Sequence, residues 1–171
     1  MIKIIDNFLD KSDFLQVKEA LYSNNFPWFA HERANDASKF GEYHFLHHLI
    51  HEGKLNSPKC KFVVDMISHK LALFHKKDII VTRARASLFT VDKKSKGLGF
   101  HKDVLDSFDY KVLLFYMENS NGFTEFKDGK KVESVENRAL IFDGHLEHQT
   151  LTQTNITFRR NINFNYRLDN V

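Results

Sequence analysis

Apolar residues recur along this chain in two rhythms, and the change from one to the other falls near residue 78. Before it, Phe14, Val17 and Leu21 stand three and four residues apart, which predicts a helix from Asp10 or Ser12 to about Tyr22. Ser57-Pro58 offers a capping hydroxyl and a proline suited to a first helical turn, and Val63, Met66, Ile67, Leu71 and Phe74 continue as one apolar stripe. Ahead of both helices, Ile2, Ile4 and Ile5 followed by Asp6-Asn7 predict a short strand. Pro27 keeps the aromatic run Phe26 to Phe29 out of a helix, and residues 34–41 read as a polar loop.

After residue 78 the pattern alternates every second residue in short runs bounded by turn formers. It predicts strands near 79–89, 98–102, 109–117, 123–127, 131–135, 138–142, 146–151 and 157–167, with Asp128-Gly129 marking a tight hairpin. Eight short strands around a hairpin suit a jelly roll, with the two helices lying on the outer face of one sheet. The expected organisation is a single domain over 1–171, with a helical cover and N-terminal strand in 1–78 and a jelly-roll core in 79–171.

Composition adds limits. With 42% hydrophobic residues and 17 phenylalanines the chain has the material for a core, and a net charge of +3 is too small to imply nucleic acid by itself. The lone cysteine, Cys60, excludes an intrachain disulfide and reads as a small apolar helix residue. No apolar run has the length of a membrane span or a signal peptide, so the expected location is the cytoplasm.

Four histidines, His44, His47, His48 and His51, crowd one segment. On a helix they would form two i, i+4 pairs, a spacing that can grip a metal, although the glutamate of a His-Glu-x-x-His motif is missing. A histidine-rich surface and a lining of a substrate entrance are the other roles open to them.

The chemistry concentrates in the last third. His101 and Asp103 are separated by one residue, so on a strand both side chains leave one face while Lys102 leaves the other. Beyond the turn at Asp143-Gly144 come His145 and His148, of which His148 is preferred because it enters the following strand. Two imidazoles and one carboxylate on one face of a metal are what a non-haem Fe(II) centre requires. In the last strand, Arg159, Asn161, Asn163 and Asn165 share a face opposite Phe158, Arg160, Ile162, Phe164 and Tyr166. The polar face is expected to line a wet cavity and the apolar face to pack beneath the helices. Arg159 would then point inward, where a guanidinium can take a carboxylate through two parallel hydrogen bonds, and Arg160 would reach solvent.

His101-x-Asp103, His148 and Arg159, together with Asn121-Gly122-Phe123-Thr124-Glu125-Phe126, Ser134-Val135-Glu136-Asn137-Arg138 and Asn161-Ile162-Asn163-Phe164-Asn165-Tyr166, resemble the 2-oxoglutarate/Fe(II)-dependent oxygenase superfamily. The nearest likeness is to the small prolyl-4-hydroxylase-like proteins of phages and bacteria. The resemblance implies a double-stranded β-helix, Fe(II) held by His101, Asp103 and His148, 2-oxoglutarate and O2 as co-substrates, and Arg159 on the distal carboxylate. It also implies a place for the Tyr116 hydroxyl on that carboxylate, whereas the strand pattern alone leaves Tyr116 equally suited to the core. A second tyrosine of the family pattern is replaced by Phe89. Hydroxylation of a peptidyl side chain, proline first, is the leading expectation. Oxidation of a nucleobase, for which Lys93-Lys94-Ser95-Lys96 offers slight support, and a non-catalytic jelly-roll binding module are the competing ones.

Overall fold

The computed structural model describes residues 1–33, 35, 37–39, 42, 44–103 and 109–169; the polar loop expected over 34–41 lies partly outside the described residues. In chain order the elements are β1 (Ile2–Ile5), α1 (Lys11–Tyr22), β2 (Phe29–His31), β3 (His44–His51), β4 (Lys54–Leu55), α2 (Lys61–His75), β5 (Ile79–Thr90), β6 (Tyr110–Tyr116), β7 (Ser120–Phe126), β8 (Lys131–Ser134), β9 (Arg138–Asp143), β10 (His148–Leu151) and β11 (Phe158–Leu168). A short 3-10 turn at Pro58–Cys60 leads into α2 and buries Cys60.

The strands form two antiparallel sheets, the jelly-roll arrangement that short alternating strands favour. The large sheet runs β1-β9-β6-β11-β5-β3-β2, with β4 on β3, and the small one runs β10-β7-β8. At the hairpin between β7 and β8, Gly129 has φ 88° and its N–H donates to the Phe126 carbonyl, as the Asp-Gly signal predicts.

The large sheet has a different partner on each face. Toward the helices, Ala84 and Ala86 of β5, Leu113 and Phe115 of β6, and Ile162, Phe164 and Tyr166 of β11 form one core with Phe14, Val17 and Leu21 of α1 and Val63, Val64, Ile67 and Leu71 of α2. Each valine, leucine, isoleucine or phenylalanine among them contributes about 1.5–3 kcal/mol when fully buried, so this layer is the main source of stability. Phe74, expected in the α2 stripe, lies at its exposed edge. Toward the small sheet, Val112, Leu114, Tyr116, Leu140 and Phe142 pack with Phe126 and Val132 in a second, smaller core.

Two expectations are corrected. Residues 44–51 form strand β3, pairing with β5 from Phe45↔Leu88 to Ile50↔Ala84, so the i, i+4 helical pairs of histidines do not exist. A bulge between His48 and Ile50 shifts the register, and both strand faces are buried, which gave the sequence its three-and-four-residue spacing. Residues 98–102 are not a strand. Around that segment the chain pairs with the small sheet in two isolated bridges, Gly97↔Leu151 and His101↔His148. Between them Gly99 takes φ 89°, and a Cβ there would lie 2.6 Å from the Ala37 carbonyl oxygen, so the turn needs glycine and breaks the extended run.

Candidate metal centre

Alternation along β11 and β5 builds the wall of the site. In the paired registers Asn165 faces Arg83, Asn163 faces Arg85, Asn161 faces Ser87 and Arg159 faces Phe89, so four polar residues of β11 and four residues of β5 share the face turned to the small sheet. Between them, Ala84 and Ala86 of β5 and Ile162, Phe164 and Tyr166 of β11 enter the helix-covered core. A polar strand face is retained here because it lines a cavity, bounded by Arg85, Ser87, Phe89, His101, His148 and Asn163 among others.

Across that cavity lie the two histidines. His101 and His148 exchange backbone hydrogen bonds of 2.9 and 3.0 Å, which sets their rings side by side with centroids 4.6 Å apart. In each ring Nδ1 lies near a backbone carbonyl, that of Gly99 at 3.2 Å for His101 and that of Leu146 at 3.0 Å for His148. An Nδ1–H donating to these carbonyls fixes the tautomer and leaves Nε2 with its lone pair free, the form a metal-ligating imidazole takes. Asp103 completes the group: its Oδ1 is 3.8 Å from His101 Nε2, and ligand atoms of His101, Asp103 and His148 all lie within 4.8 Å of one another. Two imidazoles and a carboxylate fit Fe(II) by donor type. Among the described residues this is the one cluster of that kind. His145, by contrast, sits in the turn before β10 and lines a separate depression with Lys102 and Lys127.

The Asp103 carboxylate is buried, with 2% of its side chain exposed. Burial alone would raise its pKa, but electrostatic interactions with the residues around it, the permanently charged Arg83 and Arg85 among them, outweigh it and hold the group well below the usual carboxylate range. Arg83 donates to Oδ1 at 3.1 Å, Asn163 to Oδ2 at 2.8 Å, and Asn165 to the Asp103 carbonyl at 3.4 Å. For His101, burial and the neighbouring His148 lower the pKa against the opposing pull of Asp103, favouring the neutral ring.

Arg159 is 1% exposed and points inward. Its guanidinium lies over the Phe89 ring, 5.2 Å from the centroid, and its Nε has no hydrogen-bond partner. A buried cation left this way is costly unless an anion joins it. Burial accordingly draws its pKa down to about 10, against the pull of Tyr116 and Glu118. Gly122 on β7 makes room for it, since a Cβ there would stand 2.3 Å from Arg159 Nη1. Tyr116, 1% exposed, shares a 2.8 Å hydrogen bond with Thr124. Burial pushes its phenol up to about 12, opposed by Thr124 and by Arg159.

Arg160 does not reach solvent as expected. Its Nη1 meets Glu118 at 2.7 Å and its guanidinium stacks on Tyr22 at 4.0 Å, which ties β11 to α1. Of the histidine group, His44 and His48 face the cavity side: His44 stacks on Phe89 at 5.4 Å, and His48 pairs in register with Arg85. His47 faces the helices, packing on Phe26. Sequence reasoning missed Arg83 and Arg85. Their signal was present as Arg-x-Arg-x-Ser-x-Phe in an alternating strand, the same pattern that marked β11.

Known structures share this fold. A 2OG-Fe(II) oxygenase family oxidoreductase from Burkholderia pseudomallei aligns with a TM-score of 0.73 at 9% identity, over 97% of this chain and 84% of that one. A prolyl hydroxylase from Trichoplax adhaerens, in complex with a peptide fragment of the hypoxia inducible factor oxygen degradation domain, aligns at 0.65 and 16% identity, covering 97% and 83%. For a Pseudomonas putida prolyl-4-hydroxylase the values are 0.62, 14%, 97% and 91%. No family model and no curated protein matches the sequence.

Proposed function

We propose that this chain is an Fe(II)- and 2-oxoglutarate-dependent dioxygenase that hydroxylates a side chain of a peptide or protein, with proline as the first candidate. The observation that carries the proposal is the convergence of His101, Asp103 and His148 within 4.8 Å, each imidazole oriented through Nδ1 so that Nε2 is available. Likeness in fold to the two prolyl hydroxylases supports it, and one of those was solved with a peptide.

In this proposal His101, Asp103 and His148 hold Fe(II). Arg159 binds the distal carboxylate of 2-oxoglutarate, and Tyr116 adds its hydroxyl to the same carboxylate. The guanidinium is suited to this because it is buried, charged at neutral pH and seated on Phe89, so an entering carboxylate supplies the counter-charge it lacks. Phe89 and Leu114 supply the apolar part of the cavity lining. When bound, iron, 2-oxoglutarate and O2 supply the oxidising chemistry, yielding succinate and CO2 as one oxygen atom enters the substrate. The protein's part is to orient these groups and keep the site dry.

The test is anaerobic addition of Fe(II) and 2-oxoglutarate, followed by O2 and a candidate peptide. A visible charge-transfer band that His148→Ala abolishes, and succinate formed with peptide, are the expected results. A wild-type protein with neither band nor succinate would falsify the proposal. Equal loss of 2-oxoglutarate binding in Arg160→Ala and Arg159→Ala would show that the wrong arginine was chosen.

A further inference from the structure

We infer that Arg83, Asn163 and Asn165 act as a clamp that positions Asp103, doing for the carboxylate what a backbone bridge does for the two histidines; this inference rests on the metal reading above. His101 and His148 are fixed by their backbone bridge, but Asp103 lies two residues beyond it, and neither Lys102 nor Asp103 pairs with a strand. One residue of spacing outside a strand does not decide where a side chain points. Three side chains from the neighbouring sheet decide it instead.

The clamp is built into the register of the large sheet. Asn163 and Asn165 are two apart on β11 and share a face, and Arg83 is the direct partner of Asn165 on β5. Immediately beyond that rung the register slips, so that Tyr166 pairs with Val81 and Thr82 is left over. Thr82 Oγ1 donates to the Asn165 carbonyl at 3.1 Å across the irregularity. A bulge changes the local twist and re-aims the side chains beside it, here the pair that grips residue 103.

The donors also match the acceptor. A carboxylate offers about four lone-pair sites over its two oxygens. Arg83 occupies one site on Oδ1, and Asn163 one on Oδ2. Each oxygen keeps another, and Oδ1, the oxygen nearer His101 Nε2, keeps one for an ion. The side-chain carbonyl oxygens of Asn163 and Asn165 have no partner of their own, so turning either amide over would bring an acceptor against Asp103. The orientation that donates is therefore enforced. These residues are positioning residues, acting through Asp103.

Co(II), a spectroscopic stand-in for Fe(II), provides the test. Its d–d absorption and titration are followed in wild type, Arg83→Ala, Asn163→Ala, Arg83→Lys, Asp103→Ala and the Arg83→Ala/Asp103→Ala double variant. Arg83→Ala and Asn163→Ala should each weaken Co(II) binding about 10–100-fold and alter the spectrum. Arg83→Lys keeps the charge and the fold but loses the planar geometry, so its loss should be smaller. With Asp103 removed, Arg83→Ala should have no further effect, which a general loss of structure would not reproduce. Wild-type affinity and spectrum in Arg83→Ala and Asn163→Ala, or an undiminished effect of Arg83→Ala when Asp103 is absent, overturns the clamp and leaves the proposed function standing. Absence of any His148-dependent Co(II) spectrum in wild type overturns the site itself, and the clamp with it.

Discussion

The two faces of β11 obey different physics although their residues alternate one by one. On the helix side, Ile162, Phe164 and Tyr166 are fully buried among aliphatic and aromatic neighbours, and their contribution grows with the area removed from water. On the cavity side, Arg159, Asn161, Asn163 and Asn165 are nearly as buried, at 1 to 6% exposed. Burial costs these groups free energy unless a partner meets them. One face therefore holds the fold together, and the other lines the cavity in which the proposed ligand and metal would sit. Substitutions on the two faces should separate stability from binding.

The largest effect is expected on the helix side. Phe164→Ala should destabilise the protein by about 3–5 kcal/mol, read by chemical denaturation, while the protein that remains folded binds 2-oxoglutarate as before. Loss of binding at full stability would break the comparison. Arg159→Ala is its mirror image: 2-oxoglutarate affinity should fall about 30-fold or more, the equivalent of roughly 2 kcal/mol or more. Stability should hold or rise, because an incompletely paired buried cation is removed. Calorimetric titration and a melting curve on the same sample measure both.

Gly122→Ala tests whether the cavity side depends on shape as well as charge. The added methyl must displace Arg159 or the Leu151 carbonyl, 3.0 Å away, so overpacking of about 1–3 kcal/mol is expected. Weaker 2-oxoglutarate binding should accompany it, and unchanged binding would mean that Arg159 has room to spare.

The last effect is a pH dependence, which builds gradually and changes no residue. Burial, with added repulsion from Arg85 and His31, lowers His44 from its ordinary 6.5 to about 3. Between those values the unfolded chain binds a proton that the native state refuses, so stability should fall as pH drops below 6.5. The slope for this residue alone is about 1.4 kcal/mol per pH unit. Replacing His44 by Phe should flatten the profile between pH 6 and about 4, and an unchanged slope would count against a neutral buried ring.

Much of this was legible in the residues. The spacing of Phe14, Val17 and Leu21 marked α1, Asp128-Gly129 marked the hairpin, and the alternation of β11 named both its helix-facing and its cavity-facing residues. Where reading failed, two structures shared one local pattern. The bulge in β3 and its burial on both faces imitated a helix, and Gly99 broke a run that otherwise looked like a strand.

What the sequence determined by itself is periodicity and donor type, because alternation and turn chemistry act over a few neighbouring residues. It could offer two imidazoles, a carboxylate and an arginine in a plausible order. Only the tertiary structure decided which groups meet. Asp103 is held by Arg83 from twenty positions earlier and by Asn163 from sixty positions later, and contacts at such separations are set by strand register across the sheet.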